Sequence, residues 1–180
     1  DPTLMAGVDF FDELIADEVP LEKNYVLIYQ VIRTKDALIS EYAKQIASRA
    51  GWDIVEIKNS RLYICSQGKF SISKKLQNPT QFVSLFKYAQ FVITNSFHAI
   101  AFSVIYRKDF VALNRYQDKN DMNTRLEYVL KRFGLIDQFV SGCNDFTTDK
   151  VDYTETMKIL KKEQDKMMKY IRDVLQDSSI

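Results

Sequence analysis

Histidine occurs once in these 180 residues, tryptophan once, cysteine twice, proline three times and glycine five times. Each scarcity removes a class of protein. Cys65 and Cys143 are too few for a disulfide-stapled scaffold or a four-cysteine zinc site, so free thiols and a cytoplasmic location are expected. One histidine and two distant cysteines cannot assemble an ordinary His/Cys zinc centre. So little glycine and proline excludes collagen-like and low-complexity chains. No apolar run approaches the ~20 residues that a membrane-crossing helix needs, and the opening Asp1-Pro2-Thr3 is unlike a signal peptide. There is no excess of one charge either. With 25 Lys+Arg against 24 Asp+Glu the formal charge is +1, which argues against nucleic acid as a partner and confines any anion site to a local pocket. Neither the Walker spacing nor the dinucleotide glycine fingerprint occurs, no serine sits in a nucleophile elbow, and the acidic residues are scattered rather than paired.

What is present is an ordinary core-forming composition, 46% hydrophobic, which predicts a single domain over residues 1–180. The absence of an initiator Met and an Asp1-Pro2 step that reads as the end of an earlier strand or turn lead us to expect a piece of a longer chain. Phe10, Phe11, Leu14 and Ile15 recur at helical spacing and predict a short helix over 8–17. Tyr25-Val26-Leu27-Ile28-Tyr29 predicts a strand, followed by a helix through Leu38, Ile39, Tyr42, Ile46 and Ala47 that ends at Gly51. A second strand is expected at Asp53–Ile57. Residues 58–77 then read as polar and irregular, with Gly68 as a turn. Asn78-Pro79 opens a helix, Phe91–Thr94 forms a buried strand, a helix begins around Asn95–His98, and Phe110–Leu113 forms a further strand. Leu126, Val129, Leu130 and Phe133 mark another helix, and the last spans about 154–176.

Strands that are apolar on both faces and alternate with helices imply parallel pairing covered on both sides, hence a doubly wound, Rossmann-like α/β fold. In such sheets ligands bind beyond the carboxyl ends of the strands, where helix N-termini present free N–H groups. Arg33 and Lys35 follow the first strand, Thr94, Asn95, Ser96 and His98 follow the third, and Arg115 lies beyond the fourth. Cations, hydroxyl and amide donors and one histidine around a helix N-terminus suit a small phosphate-bearing ligand. Structural readings stand beside these. Ser96 or Asn95 also suits a helix N-cap, and His98 shares a helical face with Ala101, Phe102 and Ile105, as a core residue would. Arg33, Lys35 and Arg115 also fit solvated surface, and Arg125 fits a helix start. In the last helix Met157, Leu160, Met167, Ile171 and Val174 keep a nearly heptad spacing interrupted by Gln164, so the stripe faces either its own domain or a partner.

The run Phe91-Val92-Ile93-Thr94-Asn95-Ser96-Phe97-His98-Ala99-Ile100-Ala101, continuing through Tyr106 to Asp109-Phe110-Val111, resembles the signature of the polysaccharide pyruvyl transferase family, although Ala99 stands where the family often has glycine. Asp1-Pro2-Thr3-Leu4 is similar to its mid-chain DPTLL segment. Asn123-Thr124-Arg125-Leu126 with Phe133-Gly134-Leu135 is similar to its later NTR and LGL segments, so the likeness covers about residues 1–140. The resemblance implies the second lobe of an enzyme similar to GT-B glycosyltransferases, which moves a pyruvyl group from phosphoenolpyruvate onto hydroxyls of a cell-surface saccharide, with no metal or other cofactor. It implies His98 as general acid or as a donor to the departing phosphate, Ser96 and Asn95 on the phosphate, and Arg115 or Arg125 neutralising charge. The expected partners are phosphoenolpyruvate, a saccharide acceptor and the missing first lobe, with self-association through the last helix. A nucleotide-sugar glycosyltransferase lobe and a non-catalytic docking domain are the competing readings.

Overall fold

Strands β1 (Tyr25–Tyr29) and β5 (Phe91–Thr94) carry apolar side chains toward both faces and are almost wholly buried, so they occupy the centre of the sheet. The computed structural model describes residues 1–15, 21, 23–31, 37–66, 68–76, 78–114, 122–140 and 149–177. Arg33, Lys35, Arg115 and Cys143 lie outside the described residues. Besides β1 and β5 the strands are β2 (Asp53–Lys58), β3 (Arg61–Ser66), β4 (Lys69–Lys75), β6 (Asp109–Leu113) and β7 (Phe139–Val140). Their order is β4-β3-β2-β1-β5-β6-β7. The run β2-β1-β5-β6-β7 is parallel, and β3 and β4 extend it antiparallel at one edge.

The chain moves to one side of β1 through helix α2 (Ala37–Ala50) and to the other side of β5 through α4 (Phe97–Ile105). Crossovers of one hand that run in opposite directions must lie on opposite faces of the sheet. Accordingly, Ile39, Ala43, Ile46 and Ala47 of α2 pack against Val26, Ile28 and Ile93 on one face. On the other face α3 (Pro79–Tyr88), α4 and α5 (Met122–Arg132) pack against Leu27, Val92 and Phe110. The fold is thus the Rossmann-like α/β arrangement expected, with its strand order reversing between β1 and β5. The polar stretch 58–77 is not irregular. Arg61–Ser66 and Lys69–Lys75 form the antiparallel β3–β4 hairpin, β4 at the sheet edge, with Gly68 at φ 77 in its turn.

Helix α1 (Pro2–Leu14) starts earlier than expected: Asp1 is its N-cap, its carboxylate accepting the Thr3 N–H at 2.9 Å, rather than the end of a strand or turn. Gly7, at φ 79 and ψ 173, kinks it. A kink strands the carbonyls before it, and Gln164 of α6 (Thr154–Asp177) donates its Nε2 to the Leu4 carbonyl at 2.9 Å. The residue that interrupts the heptad is therefore the one that satisfies the kink. Replacing Gly7 by alanine meets only ordinary contact, 3.6 Å from Gln164 Nε2, so its cost is conformational. That cost is about 1–3 kcal/mol, read as a fall of several degrees in the melting temperature; an unchanged midpoint would mean that α1 straightens freely.

Three further contacts strap α6 to the body before it runs free. Tyr153 donates to the Lys108 carbonyl at 2.6 Å, Thr156 Oγ1 donates to the Phe133 carbonyl at 2.9 Å, and Arg132 pairs with Glu163 at 2.7 Å. Burial pushes the Tyr153 phenol well above its ordinary range, which keeps it a donor. Beyond Gln164 the same stripe continues with Met167, Ile171 and Val174 exposed. The first half of the last helix thus faces its own domain, as one of the two readings had it.

Candidate functional site

The reversal of strand order opens a crevice at the carboxyl ends of β1 and β5, which pair side by side with Tyr29 opposite Thr94. Thr94 closes this junction: its Oγ1 donates to the Tyr29 carbonyl at 2.6 Å and accepts the Ser96 N–H at 3.0 Å. Asn95 spans the same gap, its Oδ1 accepting the Val31 N–H at 2.9 Å. Thr94 and Asn95 are fully buried. Ser96 is the N-cap of α4, its Oγ accepting the Ala99 N–H at 3.5 Å. Thr94, Asn95 and Ser96 therefore hold the rim in shape at the N-terminus of α4. The N-cap reading of Ser96 is the one the structure supports, and Asn95 braces the loop after β1.

His98 is the side chain this scaffold presents. It sits in the first turn of α4, and its side chain is 59% exposed although Ala101, Phe102 and Ile105 on the same helical face, and Phe97 and Ala99 beside it, are buried. It is not a core histidine. Two residues from distant segments stand with it. Asp1 Oδ2 lies 4.0 Å from His98 Nε2 and 3.6 Å from an Arg125 guanidinium nitrogen. The Arg125 guanidinium is centred 4.1 Å from the Phe97 ring, a cation–π contact that fixes it beside α4. With one carboxylate oxygen capping α1 and the other facing the His98 ring and the Arg125 guanidinium, Asp1 brings the starts of α1, α4 and α5 together.

Two cavities flank this cluster. One, of about 320 Å³, has an apolar wall of Leu4, Met5, Val129 and Phe133 and reaches Asp1, Phe97 and Arg125. The other, of about 530 Å³, lies across the rim at the ends of β1 and β2, walled by the β2–β3 turn and the start of α3. Among the described residues no three His, Cys, Asp or Glu side chains are placed to share a metal ion, and no helix is long and apolar enough to cross a membrane.

The polysaccharide pyruvyl transferase family profile matches residues 1–116, close to two thirds of the 180 residues. The chain belongs to that family. No curated protein and no solved structure matches it. Within the family match fall Asp1, Asn95, Ser96 and His98, whereas Arg125 lies beyond it, so the similarity read from the sequence out to about residue 140 extends further than the profile does. Of the residues expected at a polysaccharide pyruvyl transferase site, the structure brings His98 and Arg125 together and places Asn95 and Ser96 behind them as supports. Asp1 had no role assigned from sequence. Its signal was the DPTL segment itself, which a sequence alone does not bring next to residue 98.

Proposed function

We propose that this chain carries the donor side of a pyruvyl transfer from phosphoenolpyruvate to a saccharide, as one lobe of a GT-B-like enzyme. The observation that carries the reading is the meeting of His98, Arg125 and the N-terminus of α4 at the point where strand order reverses. Phosphoenolpyruvate brings a phosphate and a carboxylate, and a guanidinium beside a helix N-terminus is matched to such oxyanions.

The transfer itself needs few groups. One acceptor hydroxyl adds to the central carbon of the enol, the methylene carbon takes a proton to become a methyl, and the bond from the central carbon to the phosphate oxygen breaks. A second hydroxyl then closes the ketal, and its proton leaves with the inorganic phosphate, so two hydroxyl protons account for the new methyl hydrogen and the protonated phosphate. His98 stands where a general acid is wanted, open to ligand with the Asp1 carboxylate 4.0 Å away. Arg125 offsets the charge that gathers on the departing phosphate, and the N-terminus of α4, which starts at Phe97 after the Ser96 cap, adds its dipole. The Met167–Leu175 half of α6 is the surface on which a further lobe or a second copy would pack.

Thermal denaturation with phosphoenolpyruvate, UDP, CMP and inorganic phosphate in parallel tests the reading. A ligand at a hundred times its Kd adds about 2.7 kcal/mol, a rise of about 5–10 °C for a chain of this size. Phosphoenolpyruvate is expected to exceed inorganic phosphate and both nucleotides, and the margin to shrink in Arg125→Ala. A larger shift with UDP or CMP would favour a nucleotide-sugar transferase instead.

A further inference from the structure

The larger rim cavity takes no part in the steps above, and its chemistry differs from that around His98. Its floor is aromatic: the rings of Tyr29 and Phe82 meet edge to face at 5.1 Å. Its polar lining has the small neutral groups of Asn59, Ser60 and Asn78 beside Gln30 and the charged Glu56 and Lys58. Asn78 caps α3 through Oδ1, which accepts from the Gln81 N–H at 2.9 Å and from Thr80 Oγ1 at 2.7 Å, and its Nδ2 makes no hydrogen bond among the described residues. The side chains of Asn59 and Ser60 likewise make none among the described residues. Lys58, which also borders the cavity, places its ammonium 5.3 Å over the Tyr63 ring on the neighbouring strand.

Asn59 and Ser60 form the two-residue turn between β2 and β3, with Lys58 opposite Arg61, and both are left-handed at φ 49 and φ 58. Asparagine suits the first position of such a turn, but glycine is the usual second residue. Ser60 keeps a hydroxyl at the lip where a residue without a side chain would fit the backbone better.

An aromatic floor ringed by amides and a hydroxyl suits a ligand with one apolar face and many hydroxyls, and a volume of about 530 Å³ is ordinary for a small-molecule pocket. We infer that this cavity is a saccharide subsite, which seats one sugar ring against Tyr29 and Phe82 and reads its hydroxyls with Asn59, Ser60 and Asn78. The cavity is one strand away from the helix that carries His98, since Tyr29 is opposite Thr94 and the Val31 N–H rests on Asn95 Oδ1. A hydroxyl of a sugar seated there extends toward the donor cluster. The role of that sugar as acceptor rests on the proposed pyruvyl transfer; its binding does not.

The test is a set of separate titrations of the isotope-labelled chain with methyl β-galactopyranoside, methyl α-glucopyranoside, methyl α-mannopyranoside and phosphoenolpyruvate, read from backbone amide shifts. At least one glycoside is expected to move the amides of Val31, Asn59, Ser60 and Phe82. In the double variant Asn59→Gly/Ser60→Gly its affinity is expected to fall about fivefold, the loss of one hydrogen bond. Glycine favours the left-handed turn, so this variant loses side chains without losing the fold, and its melting temperature is expected not to drop. Silence of these amides toward every glycoside, an unweakened double variant, or a response there to phosphoenolpyruvate in place of sugar would each overturn the inference. Shifts at Phe97, His98 and Arg125 with phosphoenolpyruvate alone would leave the transfer reading standing without this subsite. Glycoside shifts without any response to phosphoenolpyruvate would leave the subsite and remove the transfer.

Discussion

Replacing His98 by alanine is expected to lower pyruvyl transfer about a hundred- to ten-thousand-fold, the range for loss of a positioned general acid, with kcat falling more than KM rises. The fold is expected to be indifferent. With its side chain 59% exposed, its ring edge-on to Phe97 and its nearest ion partner 4.0 Å away, His98 contributes little to packing. A surface substitution of this kind changes stability within about 0.5 kcal/mol, so the melting temperature should move by no more than about 1–2 °C. The measurement is steady-state transfer from phosphoenolpyruvate by the whole protein, beside a melting curve of the same sample. Activity within tenfold of the parent would remove His98 from the chemistry and leave Arg125 and the α4 N-terminus as the working parts.

The opposite pattern is expected at Asn95. This residue is fully buried, and its Oδ1 holds the Val31 N–H at 2.9 Å across the gap between the ends of β1 and β5. Asn95→Ala leaves that N–H without its partner and opens a small void. The cost is about 1–3 kcal/mol, a fall of about 3–10 °C in the melting temperature. Because the loop after β1 borders the larger cavity, activity should fall with it. A direct phosphate ligand would behave otherwise: stability would hold and only the response to phosphoenolpyruvate would weaken. Equilibrium unfolding of Asn95→Ala, with and without phosphoenolpyruvate, separates the two, and an unchanged midpoint would return Asn95 to the ligand.

Much of the scaffold was legible because its signals are local. Tyr25–Tyr29 and Phe91–Thr94 are apolar on both faces, and only a strand covered on both sides tolerates that. Asn78-Pro79 and Gly51 mark helix ends by chemistry that acts within one turn. The β3–β4 hairpin escaped because Arg61, Ser66, Lys69, Lys74 and Lys75 at the strand ends read as loop, while the pairing that makes them strands is antiparallel and set across the sheet. The start of α1 escaped because Gly7 breaks its helical period, and the repair comes from Gln164, far along the chain.

The sequence by itself determined the α/β class, the family of residues 1–116 and the rim where His98 would fall, since periodicity, caps and the Thr-Asn-Ser-Phe-His run are all read within a few neighbours. Only the tertiary structure decided what each polar residue there does. A helical wheel puts His98 with Ala101, Phe102 and Ile105, yet the packing around α4 buries those three and leaves His98 in solvent. Asn95 and Ser96, equally suited by type to bind phosphate, were drawn inward because backbone groups at the ends of β1 and α4 need partners. The placing of Asp1 beside His98 and Arg125, and of Ser60 beside Tyr29 and Phe82, depends on crossovers and a hairpin that bring separate stretches of chain to one edge. Distances of that kind are set by packing across the whole sheet, which no local pattern of residues encodes.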